Sequence, residues 1–364
     1  MQKNYIWVKL YLKKLIMKKK LLLSFLLLMS IQLSSQVSIG NIESRSNKYV
    51  PYAENHDVND FKLLKKTTCY FVVPSGMDFE KFRSLLADIW TFNELKFITT
   101  DEFFENQKKY VGLGKSVIRY CSGSIIYDEY GYGTYRDFDL VENGLLTSKF
   151  ALYFCKKEEA SKDGKVKRSM INFSEIFFTQ NIKLRHKVIA SGPGHKSSVF
   201  TAYAGKIDKK NKEEELGLYN FNLGYIKNYF QQLNDKLIKG ENLIVKNDVI
   251  NKSELKKLKT KTLYVPDWML RKINGTKGFL KEVLSPKELM KKYPYKYLVV
   301  SNEEINDKIL NKEEFYYLMH TQIYHMKLVS VINSLTGEIV YLNMNSMVFN
   351  VKDSDISKLV KEIK

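Results

Sequence analysis

The densest run of chemistry-bearing residues is Tyr127 to Asp139, YDEYGYGTYRDFD, where Tyr127, Tyr130, Tyr132 and Tyr135 mix with glycines and with Asp128, Glu129, Asp137 and Asp139. Tyrosines beside carboxylates suit sugar binding, and two carboxyl groups facing each other across a cleft can hydrolyse a glycosidic bond. Asp137 and Asp139 could instead contribute to a calcium site, which needs several oxygens. The plainer reading is a β-hairpin whose glycines turn the chain and whose tyrosines pack across the strands. The segment stands as the chain's candidate ligand surface, with no catalytic, cofactor or metal role assigned to any residue in it.

Other motifs fall short of their chemistry. Gly112-Leu113-Gly114-Lys115-Ser116 has the end of a phosphate-binding loop, but Lys109 stands where the first glycine belongs. The run VIRYC that follows is strand-like, whereas the mechanism needs backbone amides at a helix N-terminus. Five histidines are present, His56, His186, His195, His320 and His325. His320 and His325 are five apart, on opposite faces of a strand and well separated on a helix, so they form no local metal pair. His195 sits in a Ser-Gly-Pro-Gly loop and reads as solvated. Cys69, Cys121 and Cys155 lie in apolar, strand-like runs, an odd count that reads as buried thiols rather than a disulfide framework. No cofactor is predicted.

The compartment is more legible. Lys18-Lys19-Lys20 precede LLLSFLLLMSI, Leu21 to Ile31, and then Ser34-Ser35-Gln36. That is a basic region, an apolar core and a small polar cleavage zone, the pattern of a cleavable secretory signal peptide. The apolar run is too short for a membrane anchor, which needs about twenty residues. The leader and signal peptide occupy 1–36, with translation expected to start at Met17 and cleavage near residues 35 to 37. The formal net charge of the chain is +19, and removal of the seven lysines of this leader leaves +12. The remaining lysines are scattered among acids, as in Lys209-Lys210 before Glu213-Glu214-Glu215. They read as a solvated surface, with no nucleic-acid partner expected. No later segment is apolar for long enough to span a membrane.

The elements that position these residues fall into two similar units. A polar segment, 37–60, precedes a first α/β unit at 61–203. In it TTCYFVV is a strand, Phe79 to Ile89 a helix with one apolar face, and Leu95 to Ile98 a strand that Thr99 ends. Thr99 and Glu102 have the spacing of a capping box. A charged loop and connecting helix fill 204–259, with Tyr225 to Leu237 closed by Gly240. The second unit, 260–364, repeats the plan: TLYV, a helix start at Ser285-Pro286-Lys287-Glu288, YLVV, a capping box at Ser301 and Glu304, a hairpin turned at Thr336-Gly337 and a final helix over 353–363. The expectation is α/β or α+β with mixed sheets and an internal repeat. In that repeat Thr99 matches Ser301, and strand Lys149 to Cys155 matches Phe315 to Met319.

The run Val329-Ser330-Val331-Ile332-Asn333-Ser334-Leu335-Thr336-Gly337-Glu338-Ile339-Val340-Tyr341 resembles a hairpin common in exported bacterial proteins. The order of strand, helix, strand and TGE hairpin over 260 to 345 is similar to small periplasmic α/β domains of the Tol-system and curli-secretion kind. That resemblance implies assembly or binding rather than catalysis, and it carries no functional residue across. The sequence therefore predicts an exported, periplasmic or secreted, non-catalytic binding or assembly protein of a Gram-negative envelope. Its partner would be an envelope protein or a polysaccharide. The alternative is a carbohydrate-directed hydrolase using the acids of 128–139.

Overall fold

The computed structural model describes residues 36–43, 52–74, 77–122, 126–127, 133–134, 148–160, 166–179, 219–243, 249–274, 278–323, 326–346 and 348–364. The first sheet grows around β4 (Thr68–Val73), which buries Cys69, Phe71 and Val73 on one face and Val72 on the other, with Thr68 and Tyr70 half-buried. The strand lies between β5 (Glu94–Thr99) and β6 (Lys115–Ser122) and runs parallel to both. Beyond β6 the sheet turns antiparallel through β9 (Ser148–Ala160), β10 (Val166–Phe178) and β1 (Val37–Ile39), in the order β1-β10-β9-β6-β4-β5. Short hairpins β2 (Asn41–Glu43) with β3 (Tyr52–Glu54), and β7 (Ile126–Tyr127) with β8 (Gly133–Thr134), stand outside it.

The second sheet has the same path. Its centre is β12 (Leu263–Pro266), parallel to β15 (Tyr297–Val300) and β16 (Tyr316–Ile323). Antiparallel β17 (Met326–Asn333), β18 (Ile339–Ser346) and β11 (Val249–Ile250) follow, in the order β11-β18-β17-β16-β12-β15. The likeness extends to register. Cys69 is paired with Leu95 and Ser116, and Leu263 with Tyr297 and Tyr316. In β10 an extra residue, Phe173, separates the pairs Asn172–Tyr153 and Ser174–Leu152. In β18 the extra residue is Val340, between Ile339–Ile332 and Tyr341–Val331, the same rung counted from the centre. A bulge bends its strand and re-aims the residues beyond it, and the two sheets share it at one rung as they share their strand order. In one respect the expected match is wrong. Counting rungs pairs Lys149–Cys155 with Met326–Asn333, and Phe315–Met319 with the strand that starts at Lys115, because β6 and β16 hold the same place beside the central strand of each copy.

The helices follow the repeat. Helix α1 (Val58–Lys65), capped by Asp57, leads into β4 as α6 (Lys252–Leu255), capped by Asn251, leads into β12. The stretch from Asp57 to β4 aligns without a gap on that from Asn251 to β12, so that Lys62, Leu64, Lys65, Thr68 and Tyr70 fall on Lys256, Leu258, Lys259, Thr262 and Tyr264. Between the central strand and its parallel edge strand the first copy carries α2 (Phe79–Ala87). The second carries a hairpin, β13 (Arg271–Asn274) with β14 (Gly278–Val283), and one turn of helix, α7 (Pro286–Leu289), which Ser285 and Glu288 close reciprocally. Thr99 caps α3 (Thr100–Glu105) and Ser301 caps α8 (Asn302–Leu310), each hydroxyl accepting the backbone N–H three residues on at 3.1 Å. Phe103 and Ile305 are buried beneath them. A short helix, α4 (Gln107–Tyr110), follows α3.

Each copy ends in a helix, α5 (Leu223–Lys239) after the first and α9 (Asp353–Ile363) after the second. Helix α5 joins the units physically. Its Phe230 ring lies 5.7 Å from Phe71 and 5.9 Å from Phe150 of the first sheet. Its Tyr225 ring lies 5.5 Å from Tyr317 of the second, whose hydroxyl donates to Asn228 Oδ1 at 3.0 Å. One apolar cluster runs from Val37 to Ile363 through both sheets. The segment 37–60 therefore supplies an edge strand and a helix to the first copy, and the helix of 204–259 closes that copy instead of merely connecting the two. Among the described residues no helix is long and apolar enough to cross a membrane.

Candidate functional site

Of the predicted surface, Tyr127 is the residue whose backbone the structure describes. It ends β7, opposite Gly133 of β8, with Ile126 opposite Thr134. This ladder of two antiparallel pairs is the part of the glycine-rich run whose backbone is described. Asp128, Glu129, Tyr130, Tyr132, Tyr135, Asp137 and Asp139 lie outside the described residues.

The other sequence candidates resolve into structural roles. Gly114 takes a left-handed φ of 71° and delivers the chain into β6, where the Lys115 ammonium donates to the Lys109 carbonyl at 2.6 Å. The GLGKS motif is thus a turn into a strand. His56 stacks on Phe173 with ring centroids 4.1 Å apart, and its Nε2 lies 2.9 Å from the Phe173 carbonyl. Burial holds this imidazole below its ordinary pKa, against the pull of that carbonyl. His320 is buried in β16 with Trp268 stacked 6.0 Å away, and burial lowers its pKa from 6.5 to about 4. His186, His195 and His325 lie outside the described residues. Cys69 and Cys155 are buried and free, and burial pushes the Cys69 thiol up to about 12, far from nucleophilic use. Among the described residues no three of His, Cys, Asp and Glu come together as a metal site.

Among the described residues two lysine–carboxylate pairs are buried. The Lys327 ammonium donates to Asp355 Oδ2 at 2.5 Å and to the Asn350 carbonyl at 2.8 Å, while Asp355 also accepts from the Lys352 backbone and from Asn345. Lys149 pairs with Glu175, which also accepts from Asn172 Nδ2 at 2.7 Å. Burial lowers the Lys327 pKa even with Asp355 beside it. Both pairs are closed on themselves by hydrogen bonds, which is how buried charges are tolerated in a fold.

A further buried polar cluster lies at the seam where β1 and the end of β10 meet β16. Thr179 Oγ1 donates to the His320 carbonyl at 3.0 Å and accepts from the Gln322 backbone at 3.2 Å. Asn220 Oδ1 takes the Thr179 N–H at 2.7 Å. Thr321 Oγ1 donates to Gln36 Oε1 at 3.0 Å. Gln36, Thr179, Asn220, His320 and Thr321 are each at most 1% exposed. Two donors in this region have no hydrogen-bond partner, Gln36 Nε2 and Trp268 Nε1. An unsatisfied buried donor costs free energy, so each asks for a reason. This seam is nearly invisible in the sequence, because it gathers single polar residues from four distant segments. The one local signal is Thr179, a hydroxyl directly after the apolar run that ends in Phe177-Phe178.

Compared with protein-family models, with curated proteins and with solved structures, the chain matches none.

Proposed function

We propose that the protein is an exported, non-catalytic binding or assembly protein of the bacterial envelope, presenting the hairpin segment 127–139 to a protein or polysaccharide partner. The observation that supports the export half is the position of β1. The predicted cleavage zone at residues 35 to 37 abuts a strand whose residues Val37, Ser38 and Ile39 have no exposed surface. A processed chain would therefore begin where the sheet begins. The binding half is supported by how the chain uses its ionisable groups. His56, His320 and Lys327, whose pKa values burial lowers, are stacked or paired within the scaffold, while the tyrosines and acids of highest density fall in the segment 127–139, whose β7–β8 ladder stands outside both six-stranded sheets.

The test uses the full chain with its own leader. In cell fractions it is expected outside the cytoplasm. Crosslinking in intact cells should then give a partner or glycan adduct that Tyr130→Ala with Tyr132→Ala abolishes without changing the melting temperature. Retention in the cytoplasm would overturn the export half. Release of reducing sugar from envelope polysaccharide by purified protein, abolished by Asp137→Asn, would replace binding with hydrolysis.

A further inference from the structure

We infer that Gln36 is a modification site: once exposed as the mature N-terminus, it closes to pyroglutamate. This rests on the export reading above, and within the zone 35–37 it commits to the bond between Ser35 and Gln36. Ser35 places a small residue directly before the cut, with Leu33 at the third position. A cut beyond Gln36 would remove the anchor of the edge strand, since the Gln36 carbonyl accepts the Phe177 N–H at 2.9 Å and its Oε1 accepts from Thr321.

The site is built in a way that an uncyclised N-terminus fits badly. With the preceding residues still attached Gln36 is 1% exposed, and it is followed by three residues with no exposed surface. A free terminus would place an ammonium group at this position, and a desolvated charge is costly unless it is paired. The side chain has the opposite problem, because its Nε2 is buried with no partner while its Oε1 is hydrogen-bonded. Cyclisation removes both difficulties at once. The α-amine nitrogen attacks Cδ, the new N–Cδ bond forms, and the Cδ–Nε2 bond breaks. Ammonia leaves carrying a proton from the amine, so the step needs neither oxidant nor co-reactant. What is lost is the unpartnered nitrogen and the terminal charge. What is kept, as the lactam carbonyl, is the oxygen that Thr321 reaches, and the Gln36 main-chain carbonyl that holds β10 is untouched.

The mature chain should therefore be blocked. The experiment is to export the full-length chain from a Gram-negative host, label free amines on the intact protein by reductive dimethylation, digest it, and read the N-terminal peptide by mass spectrometry. The expected peptide begins at Gln36, is lighter than its sequence by one ammonia, and carries no label at its terminus. A labelled peptide beginning at Gln36 would overturn the modification and leave the cleavage reading standing. A peptide beginning at any other residue would overturn both. Gln36→Asn provides a control, because asparagine cannot close the five-membered ring. Its terminus should take the label, and the protein should melt lower by about 2 °C or more. A Gln36→Asn chain that starts at the same bond and melts no lower than wild type would overturn the claim that the blocked terminus serves the fold.

Discussion

Gly337 stands at the point where the second copy touches α5, and replacing it by alanine tests the packing of the two units directly. The residue has φ +72°, in the left-handed region, and a Cβ there would clash with the Asn228 carbonyl oxygen and lie 3.0 Å from its carbonyl carbon. Both are helix backbone, so no flexible tip can swing aside. The left-handed conformation costs alanine about 1–2 kcal/mol. Forcing the turn away from α5 costs about 1–3 kcal/mol more, as overpacking usually does. Stiffening of the unfolded chain returns about 0.4–1 kcal/mol. The expected net loss is about 2–4 kcal/mol, a large part of the roughly 5–15 kcal/mol that holds a typical fold. Two other glycines separate the terms. Gly240 has φ +67° with nothing within 4 Å of the added carbon, so Gly240→Ala should cost the conformational part alone, about 1 kcal/mol. Gly224 has an ordinary backbone, but its Cβ would lie 2.9 Å from the Asn306 carbonyl oxygen. Gly224→Ala should show the steric part offset by up to about 1 kcal/mol of helix propensity. Urea unfolding of the three variants, compared at the midpoint with a common slope, gives the order. If Gly337→Ala cost no more than Gly240→Ala, α5 would not be seated on the second copy as described.

Thr99→Ala and Ser301→Ala should each cost about 1 kcal/mol in the same assay, since each removes the one side-chain acceptor at its helix start; neutrality at both would deprive the capped junctions of their role. His320 sets a pH dependence. Its folded pKa of about 4 lies below the 6.5 of the free imidazole, so as pH falls the unfolded chain takes up the proton first. Stability from this group is full above pH 6.5 and is lost as pH falls toward 4, by at most ~1.4 kcal/mol per pH unit. His56, also lowered by burial, adds a slope of the same sign that His320→Gln leaves in place. The difference in urea midpoint between about pH 7.5 and about pH 5 should therefore shrink in His320→Gln, and an unchanged difference would mean that the ring is not held neutral in the interior.

The capped junctions were legible because capping is local: hydroxyl and glutamate three residues apart state the helix start without knowledge of the rest. Thr336-Gly337 announced its turn for the same reason, and Gly337 does take the positive φ that the turn requires. The pairing of strands between copies was not legible, since the hairpin pattern recurs along every antiparallel strand and only rung counting fixes the match. The clearest trace of the repeat lies instead in the gapless correspondence of Asp57 to Tyr70 with Asn251 to Tyr264, over which each unit passes from a capped helix into the central strand of its sheet. That signal was hidden because Asp57 to Lys66 reads as merely polar and charged, while its apolar members Phe61 and Leu64 are buried against the sheet. Gln36 was legible only as part of a cleavage zone, because its burial depends on Thr321, 285 residues away.

The two closing helices show what position in a repeat does to sequence. Helix α9 covers one face of the last sheet, burying Ile356, Leu359, Val360 and Ile363 while Asp353, Ser354, Lys358 and Lys361 face solvent. This is the polar outer face that a terminal repeat requires. Helix α5 holds the same place in the first copy but has a second sheet behind it, and it is buried on nearly every side. Apolar contact alone would let such a helix rotate, so the polar residues on its inner side fix the angle. The Gly224 N–H donates to Asn306 Oδ1 at 2.9 Å, and the Lys227 ammonium donates to the Ile309 carbonyl at 2.8 Å, at the negative end of α8. Asn228 bonds both the Tyr317 hydroxyl and the Ser334 carbonyl. Each of these partners belongs to the second copy, so the helix that completes the first core is oriented by the second. Taken away from its neighbour, the first copy would expose Tyr225 and Asn228 with their hydrogen bonds unmade. The two units thus share one apolar core, and the helix that completes the first is seated on the second.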